Sequence, residues 1–335
     1  MSAAEATSKP AVLVTGGAGY VGSHVCKALD RAGFLPVAYD NLATGHRWAV
    51  KWGPLEEGDV RDSFRVETVL RRYRATAVLH FAALSLVGAS AKQPFDYYDV
   101  NVNGALSLSH AMQQCGLRRL VFSSTCAVYG MPERMPIVEE APTLPVNVYG
   151  RTKLAAENLF SDLARAGALD VVMLRYFNAA GADRDGEIGE AHDPESHLIP
   201  LAIQAAMGES EPLSLFGTDY PTPDGTCLRD YIHVEDLAAA HLKALQLLET
   251  KPGVHAFNLG TGIGVSVREV LAAVGKLAGK PVPVIEGPRR EGDAPQLYAS
   301  PAKAERELGW RAAATHIESM VGSAINWHRK ARSAA

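Results

Sequence analysis

No apolar run in this 335-residue chain reaches the roughly 18 residues that a spanning helix needs. Residues 1–10 are small and polar and hold no apolar stretch of the kind that forms the middle of a secretion signal. Cysteine is scarce, at four widely spaced positions (Cys26, Cys115, Cys126 and Cys227) with no Cys-x-x-Cys pair. That pattern reads as reduced intracellular thiols rather than a disulfide framework. Charge of one sign is missing too. The 33 Lys and Arg residues against 37 Asp and Glu give a net charge of -4, with neither a basic footprint for nucleic acid nor an acidic tail. Internal repeats and low-complexity segments are absent. His192 and His197 lie five apart with Asp193 and Glu195 between them. Loop spacing of that kind is usually solvated polarity, so no metal is expected. These absences lead to a soluble, cytoplasmic protein without nucleic-acid or membrane partners.

What is present is an alternation of short buried strands and helices. Residues 11–14 are apolar and stop at Thr15 and a glycine cluster, as a buried strand entering a tight turn does. Residues 21–32 read as a helix ended by Gly33, and 35–39 as a second strand ending in Asp40. Further buried strands are expected at 77–81, 120–123 and 171–175, with helices at 100–114 and 152–166 between them. Apolar strands that do not alternate imply a parallel sheet covered on both faces. The expected fold class is therefore α/β, a doubly wound parallel Rossmann sheet with a smaller α/β substrate-binding domain. The polar, glycine- and proline-punctuated stretches 182–200 and 217–225 are long for connections and read as binding loops. Residues 230–248 and 255–259 are expected to rejoin the sheet. The expected division is a dinucleotide-binding domain at 1–180, rejoined at about 229–260, and a smaller, discontinuous substrate-binding domain at 181–335.

Gly16-x-x-Gly19-x-x-Gly22 falls between a strand and a helix, the context in which such glycines permit a tight turn, close approach to a pyrophosphate and helix-on-strand packing. Asp40, 18 residues after Gly22, can accept both adenosine ribose hydroxyls and would repel a 2'-phosphate, which favours NAD. Asp59 and Val60 could hold the adenine edge, or Asp59 could be a helix N-cap. Phe81, Ala82 and Ala83 put small residues where the cofactor would pass, and His80 reads as a packed strand residue. Tyr149 and Lys153, four apart, share one helix face, where an ammonium lowers a tyrosine pKa from about 10 toward working pH. Thr125, after Ser123 and Ser124, lies at the carboxyl edge of the sheet and can bond the oxygen that Tyr149 deprotonates. Cys126 has no well-placed histidine beside it, so buried packing is the better reading. Arg229 and Arg290 are candidates for neutralising a diphosphate by forked hydrogen bonds.

With these residues in view, the chain resembles the extended short-chain dehydrogenase/reductases, and within them the UDP-glucose (UDP-galactose) 4-epimerases. The resemblance runs from Val12 to about Gly309 through VTGGAGYVGSH, YDNL, EGDVRD, HFAA, YYDVNVNG, FSSTCAVYG, YGRTKLAAE, LRYFNAAGA, HLIP, DGTCLRDYIHVEDLA, FNLGTG and RREGD. It implies bound NAD that takes and returns the C4 hydride of a UDP-hexose, with Tyr149 as base, Thr125 beside it and Lys153 on the nicotinamide ribose. It further implies cofactor contacts at Tyr20, Val21, Asn41, Asn101 and Phe177. Substrate contacts are implied at Asn178, His197, Leu198, Phe216, Asp293 and Leu297, and so is a homodimer formed through residues 100–114 and 152–166. Taken singly, Asn178 could be a turn residue, Arg289-Arg290 a solvated pair and Asp293 a cap.

The chain departs from some relatives at three positions. Thr125 stands for a serine, His197 for an asparagine, and Leu297 for a tyrosine that closes the pocket near the sugar 2-substituent. Leucine is smaller, so UDP-N-acetylhexosamines are expected to fit as well. A nucleotide-sugar 4,6-dehydratase would need an acid and a base just after the threonine, where Cys126 and Ala127 stand. Epimerisation of UDP-pentoses or UDP-uronates is an alternative substrate reading. A non-catalytic NAD-dependent sensor is the alternative of another class, and it would have no need to keep Tyr149, Lys153 and Thr125.

Overall fold

The computed structural model describes residues 9–290 and 292–333. Most of the polar leader, up to position 8, and Glu291 of the RREGD motif lie outside the described residues. The chain opens with β1 (Ala11–Thr15), α1 (Tyr20–Arg31), β2 (Leu35–Asp40), β3 (Leu55–Glu57), α2 (Ser63–Tyr73) and β4 (Ala77–His80). Two short helices, α3 (Val87–Ser90) and α4 (Pro94–Tyr98), lead into α5 (Gly104–Gln114), β5 (Arg119–Thr125), α6 (Val148–Arg165), β6 (Asp170–Tyr176) and β7 (Asn178–Ala180). Then come α7 (Leu198–Met207), β8 (Leu213–Phe216), β9 (Leu228–Arg229), β10 (Tyr231–His233), α8 (Val234–Thr250) and β11 (Val254–Leu259). The last elements are β12 (Val265–Ser266), α9 (Val267–Ala278), β13 (Val284–Gly287), β14 (Gln296–Leu297) and α10 (Ile317–Ser333).

Seven strands form one sheet in the order β11-β6-β5-β4-β1-β2-β3. The pairs β1/β2, β1/β4, β2/β3 and β4/β5 are parallel, with Leu13 between Val37 and Val78. Every residue of β1 is buried, as a central parallel strand covered on both faces must be. The chain runs outward from β1 through β2 in one direction and through β4 in the other. Thr15, Asp40, His80 and Thr125 thus end strands around a topological switch point, the place where such sheets bind ligands.

Three expectations change. Residues 231–233 do not join the large sheet but pair in parallel with β7, Tyr231 opposite Asn178, while β11 takes the sheet edge beside β6. Residues 198–200 belong to α7 rather than to the preceding loop. Pro200 is its third residue, a position where the missing N–H costs no intrahelical bond. Thr125 is the last residue of β5, which runs two residues past the expected end at 123.

The chain divides into two compact units. One comprises residues up to Ser124, Asn147–Leu174 and His241–Ala256, and the other Thr125–Val146, Arg175–Ala240 and Phe257 onward. The first has its core where Leu13, Val37, Val78, Leu120 and Phe122 of the sheet meet Val66 and Leu70 of α2, Leu108 and Met112 of α5, and Phe160 of α6. The second is packed around Ile199 and Ile203 of α7, Val270 and Val274 of α9, and Met320, Val321 and Ile325 of α10. Helix α9 is closed by a capping box between Ser266 and Glu269. Among the described residues no helix is long and apolar enough to cross a membrane.

Phe160 is fully buried, with its ring edge-on to Phe122 at 4.9 Å. Phe160→Ala is expected to cost about 3–5 kcal/mol, from lost burial plus a residual cavity, read as a lower urea midpoint. A loss below about 1 kcal/mol would mean that the sheet–helix layer closes over the gap.

Candidate functional site

The glycine turn is held by its own backbone. Gly16 has φ +72° and donates its N–H to Tyr39 O at 2.8 Å, while Gly19 N donates to Gly16 O. A Cβ at Gly16 would lie 2.7 Å from Ala82 N, and one at Gly22 would lie 2.1 Å from Gly16 O, so both must be glycine to let turn, helix and neighbouring strand close. Gly19 is different. Its nearest neighbour would be 3.3 Å away, so the internal packing nearly admits a side chain there, and the space it leaves lies at the N-terminus of α1. That N-terminus has no side-chain cap and no acidic residue in its first turn. Main-chain N–H groups, a positive dipole end and room above them make a cradle that fits the pyrophosphate of a dinucleotide.

Asp40 is nearly buried and is fixed by Ala18 N at 3.0 Å and Leu42 N at 2.9 Å, one to each oxygen. Burial raises its pKa, and each oxygen keeps a lone pair for a hydroxyl donor. Asp59 is more fully engaged. Arg61 grips it through Nε, Nη2 and the main chain, and Asn41 Nδ2 adds a fourth bond at 3.1 Å. The Arg61 hydrogen bonds, foremost, hold its carboxyl down to about 2. The cap of α2 is Asp62, which accepts from Arg65 N, and not Asp59. Val60 is buried against Gly104, and the Phe81 ring leans on His241 at 4.7 Å. Asn101 is buried and exchanges bonds with both main-chain groups of Leu84, then donates to Thr152 Oγ1. It clamps the segment that follows β4, with Ala82 and Ala83, to the first turns of α6.

Helix α6 starts at an Asn147 cap whose side chain accepts from Gly150 N at 2.8 Å. Tyr149 and Lys153 therefore stand one turn apart in its first two turns, Tyr149 half-buried and Lys153 only 3% exposed. The Lys153 ammonium sits 4.5 Å over the Phe122 ring. Desolvation lowers its pKa to about 7, against the opposing pull of Glu157 one turn further on. Glu157 is itself buried and accepts from Ser124 Oγ at 2.5 Å. Glu157 was not singled out from the sequence and Ser124 was given no role there, although Lys-x-x-x-Glu spacing on one helix face was the available signal. His80 is packed as expected. It is stacked on Phe122, bonded to Thr15 Oγ1 at 2.7 Å, and lowered to about 3 by burial first and by Lys153 second.

In the second unit, Thr125 Oγ1 accepts from Ala127 N, which caps a 3-10 turn at Cys126–Tyr129. Burial pushes the Cys126 thiol up to about 12, against any role as a thiolate nucleophile. Strand β14 runs parallel to β9, which sets Leu297 beside Arg229. Arg229 Nη1 donates to Leu228 O and Ala294 O, and Nη2 lies 3.4 Å from Asp293. The Arg290 guanidinium covers one face of Phe216 at 4.1 Å. Arg289 is occupied by Asp219 and by the Tyr220 ring. Asn178, exposed at the start of β7, is tied through its N–H to Asp230 O, and Asp230 N donates to Leu297 O. Asp230 is fully buried and accepts from Thr261 N and Oγ1, Gly262 N and Ala299 N. It organises three segments of the unit, and nothing in its local sequence announces that. His197 precedes the first residue of α7, Leu198, and turns Nδ1 to Glu190. Phe177 is buried between β6 and β7.

Comparison with known proteins agrees with this geometry. A family model described as the NAD dependent epimerase/dehydratase family matches residues 12–260. The chain is 50% identical to a UDP-glucose 4-epimerase of Rhizobium leguminosarum bv. trifolii, over 95% of this chain and 97% of that one. It superposes on the crystal structure of UDP-glucose 4-epimerase from Brucella ovis in complex with NAD with a TM-score of 0.93 at 50% identity, covering 95% and 98% of the two chains. It likewise superposes on UDP-glucose 4-epimerase from Bifidobacterium longum in complex with NAD⁺ and UDP with a TM-score of 0.92 at 39% identity, covering 97% and 100%.

Lys153 loses its proton near pH 7, and the negative charge of Glu157 keeps that point from falling further. In Glu157→Gln the ammonium is therefore expected to titrate at lower pH, and the alkaline limb of kcat against pH to move to lower pH with it. A limb that stays in place would remove Glu157 from control of the Lys153 charge.

Proposed function

We propose a reaction for this chain, which belongs to the NAD dependent epimerase/dehydratase family: the reversible 4-epimerisation of UDP-glucose and UDP-galactose. The observation that carries it is the first turn of α6, where Tyr149 stands one turn before a lysine almost wholly removed from water. NAD is the cofactor, and when bound it supplies a resident acceptor and donor for the C4 hydride of the sugar. Gly16, Gly19 and Gly22, with the amides of Tyr20 and Val21, would hold its pyrophosphate. Asp40 and Asn41 would hold its adenosine ribose, Asp59 and Val60 the adenine side, and Phe81, Ala82, Ala83, Asn101, Phe177 and Lys153 the remainder.

Tyr149, as phenolate, takes the proton of the sugar 4-hydroxyl and gives it back after the 4-keto sugar has turned over. The adjacent ammonium of Lys153 favours the phenolate, since an unpaired negative charge in this setting would be costly. Thr125 supplies a hydroxyl to the same sugar oxygen. Inversion at C4 requires a tight grip on the nucleotide and a loose one on the sugar. We assign that grip to Arg229, Arg290, Asp293, Asn178, Phe216, Leu198 and the Nε2 edge of His197. Arg229 keeps donors for a diphosphate beyond those given to Leu228 and Ala294. We assign the dinucleotide to the first compact unit and most of the substrate contacts to the second. A cytoplasmic homodimer completes the reading, supported by the exposure of Phe95 and Leu106 on α4 and α5.

Purified protein given UDP-galactose without added NAD is expected to yield UDP-glucose, and Tyr149→Phe to keep its NAD while losing roughly 10²–10⁴-fold in kcat. No product even after NAD is supplied would end the plain-hexose reading, and near-normal turnover in Tyr149→Phe would end the role of Tyr149. Leu297 leaves room that a tyrosine would fill. Leu297→Tyr is expected to lower the ratio of N-acetylhexosamine to hexose turnover at least about tenfold, an effect the size of a steric clash of 1–3 kcal/mol. An unchanged ratio would show that another side chain sets the limit.

A further inference from the structure

The loop between β7 and α7 brings together four side chains that the proposed reaction does not use as a group. Glu190, His192, Glu195 and His197 each offer one ligand atom, and all four atoms lie within 4.8 Å of one another. We propose that these residues form a structural metal site for zinc or a similar late first-row dication, with two imidazole nitrogens and two carboxylate oxygens around one ion.

Two of the donor distances match the edges of such a centre, and the third contact, His197 to Glu190, is a direct hydrogen bond that the ion would have to open. A tetrahedral centre with bonds of about 2.0–2.2 Å has ligand-to-ligand edges of about 3.3–3.6 Å. His192 Nδ1 lies 3.2 Å from Glu190 Oε1 and 3.6 Å from Glu195 Oε1. His197 Nδ1 also faces Glu190 Oε1, and the two imidazoles meet edge to face with centroids 4.9 Å apart. Both rings thus present the same nitrogen to the same carboxylate oxygen. Two neutral imidazoles with two carboxylates would balance the charge of a dication.

The donor set narrows the metal. Calcium and magnesium take oxygen donors and would leave the imidazoles unused, while copper(I) and iron–sulfur centres favour sulfur ligands, which this set lacks. The neighbouring group of Asp183, Asp185 and Glu187 offers carboxylates only and supports no such claim. Main-chain and indole donors also hold the two glutamates in place. Glu195 Oε1 accepts the N–H groups of Ser196 and His197 at 2.7 and 2.9 Å, and the Glu190 carbonyl accepts Trp327 Nε1 at 2.9 Å. The two glutamate side chains are 7% and 8% exposed, so the carboxylates are already withdrawn from water. Such supporting bonds fix ligand orientation and commonly govern affinity. Four ligands within eight residues would close the loop tightly just before α7 and fix the His197 ring with Nε2 pointing away from the ion.

The test uses the full-length protein, stripped with a chelator and titrated with Co²⁺. The expected result is one equivalent bound per chain, with the strong visible d–d bands of a tetrahedral site, displaced one for one by Zn²⁺. His192→Gln and Glu195→Gln, each checked for native circular dichroism, are expected to weaken Co²⁺ binding about 100-fold or more. Asp185→Asn is expected to leave it unchanged. If His192→Gln does not fold, Glu195→Gln carries the comparison alone. Absence of the bands in the wild type, or bands that persist undiminished in Glu195→Gln, would overturn the site and leave a cluster held by protons.

Discussion

A buried ammonium sets the terms for the first compact unit. Lys153 has almost no contact with solvent, and an unpartnered charge there would be unaffordable. The structure meets that demand with an aromatic face from Phe122, a carboxylate from Glu157 and a neutral histidine at His80. Glu157 is in turn held by Ser124 and His80 by Thr15. The partners outside α6 come from β1, β4 and β5, so the parallel register of those strands helps position the ammonium. Desolvation outweighs the attraction of Glu157 and brings Lys153 down to about 7, where a small change in its surroundings moves its charge.

Asp230 plays the corresponding part in the second unit. Four donors from 261, 262 and 299 converge on its side chain, and its main chain links β7 to β14. Asn178, Arg229 and Leu297 are neighbours of this one residue, so the candidate substrate contacts inherit their placement from a buried carboxylate. Burial raises the Asp230 pKa while its hydrogen bonds pull the other way.

Much of this was legible in the residues. Apolar runs of four to seven with no polar alternation gave the buried strands, and glycines at 16, 19 and 22 located the first turn because only a missing Cβ lets Gly22 close on Gly16. Tyr149 and Lys153 stood out from helical spacing taken together with Ser123-Ser124-Thr125 and the glycine turn. What was hidden depends on contacts distant in sequence. Nothing local says that residues 231–233 pair with β7 instead of joining the large sheet, since three buried residues fit either. Glu157 and Asp230 look like ordinary polar residues until their partners arrive from elsewhere. The stretch 190–197 read as solvated polarity because residues of a loop have no period, and only the fold shows two imidazoles and two carboxylates gathered together.

The order of synthesis gives the last helix a further consequence. The first unit is complete once the chain reaches Ala256, but the core of the second requires Met320, Val321 and Ile325. At about 5–20 residues per second, the chain needs roughly 3–14 s to cover that interval. During it, the apolar faces of α7 and α9 lack the third helix that covers them. A nascent chain is therefore expected to carry a finished first unit beside an unfinished second one. A ribosome stalled anywhere in the final stretch would present the cell with exposed hydrophobic surface and make this protein a client for chaperones late rather than early in translation.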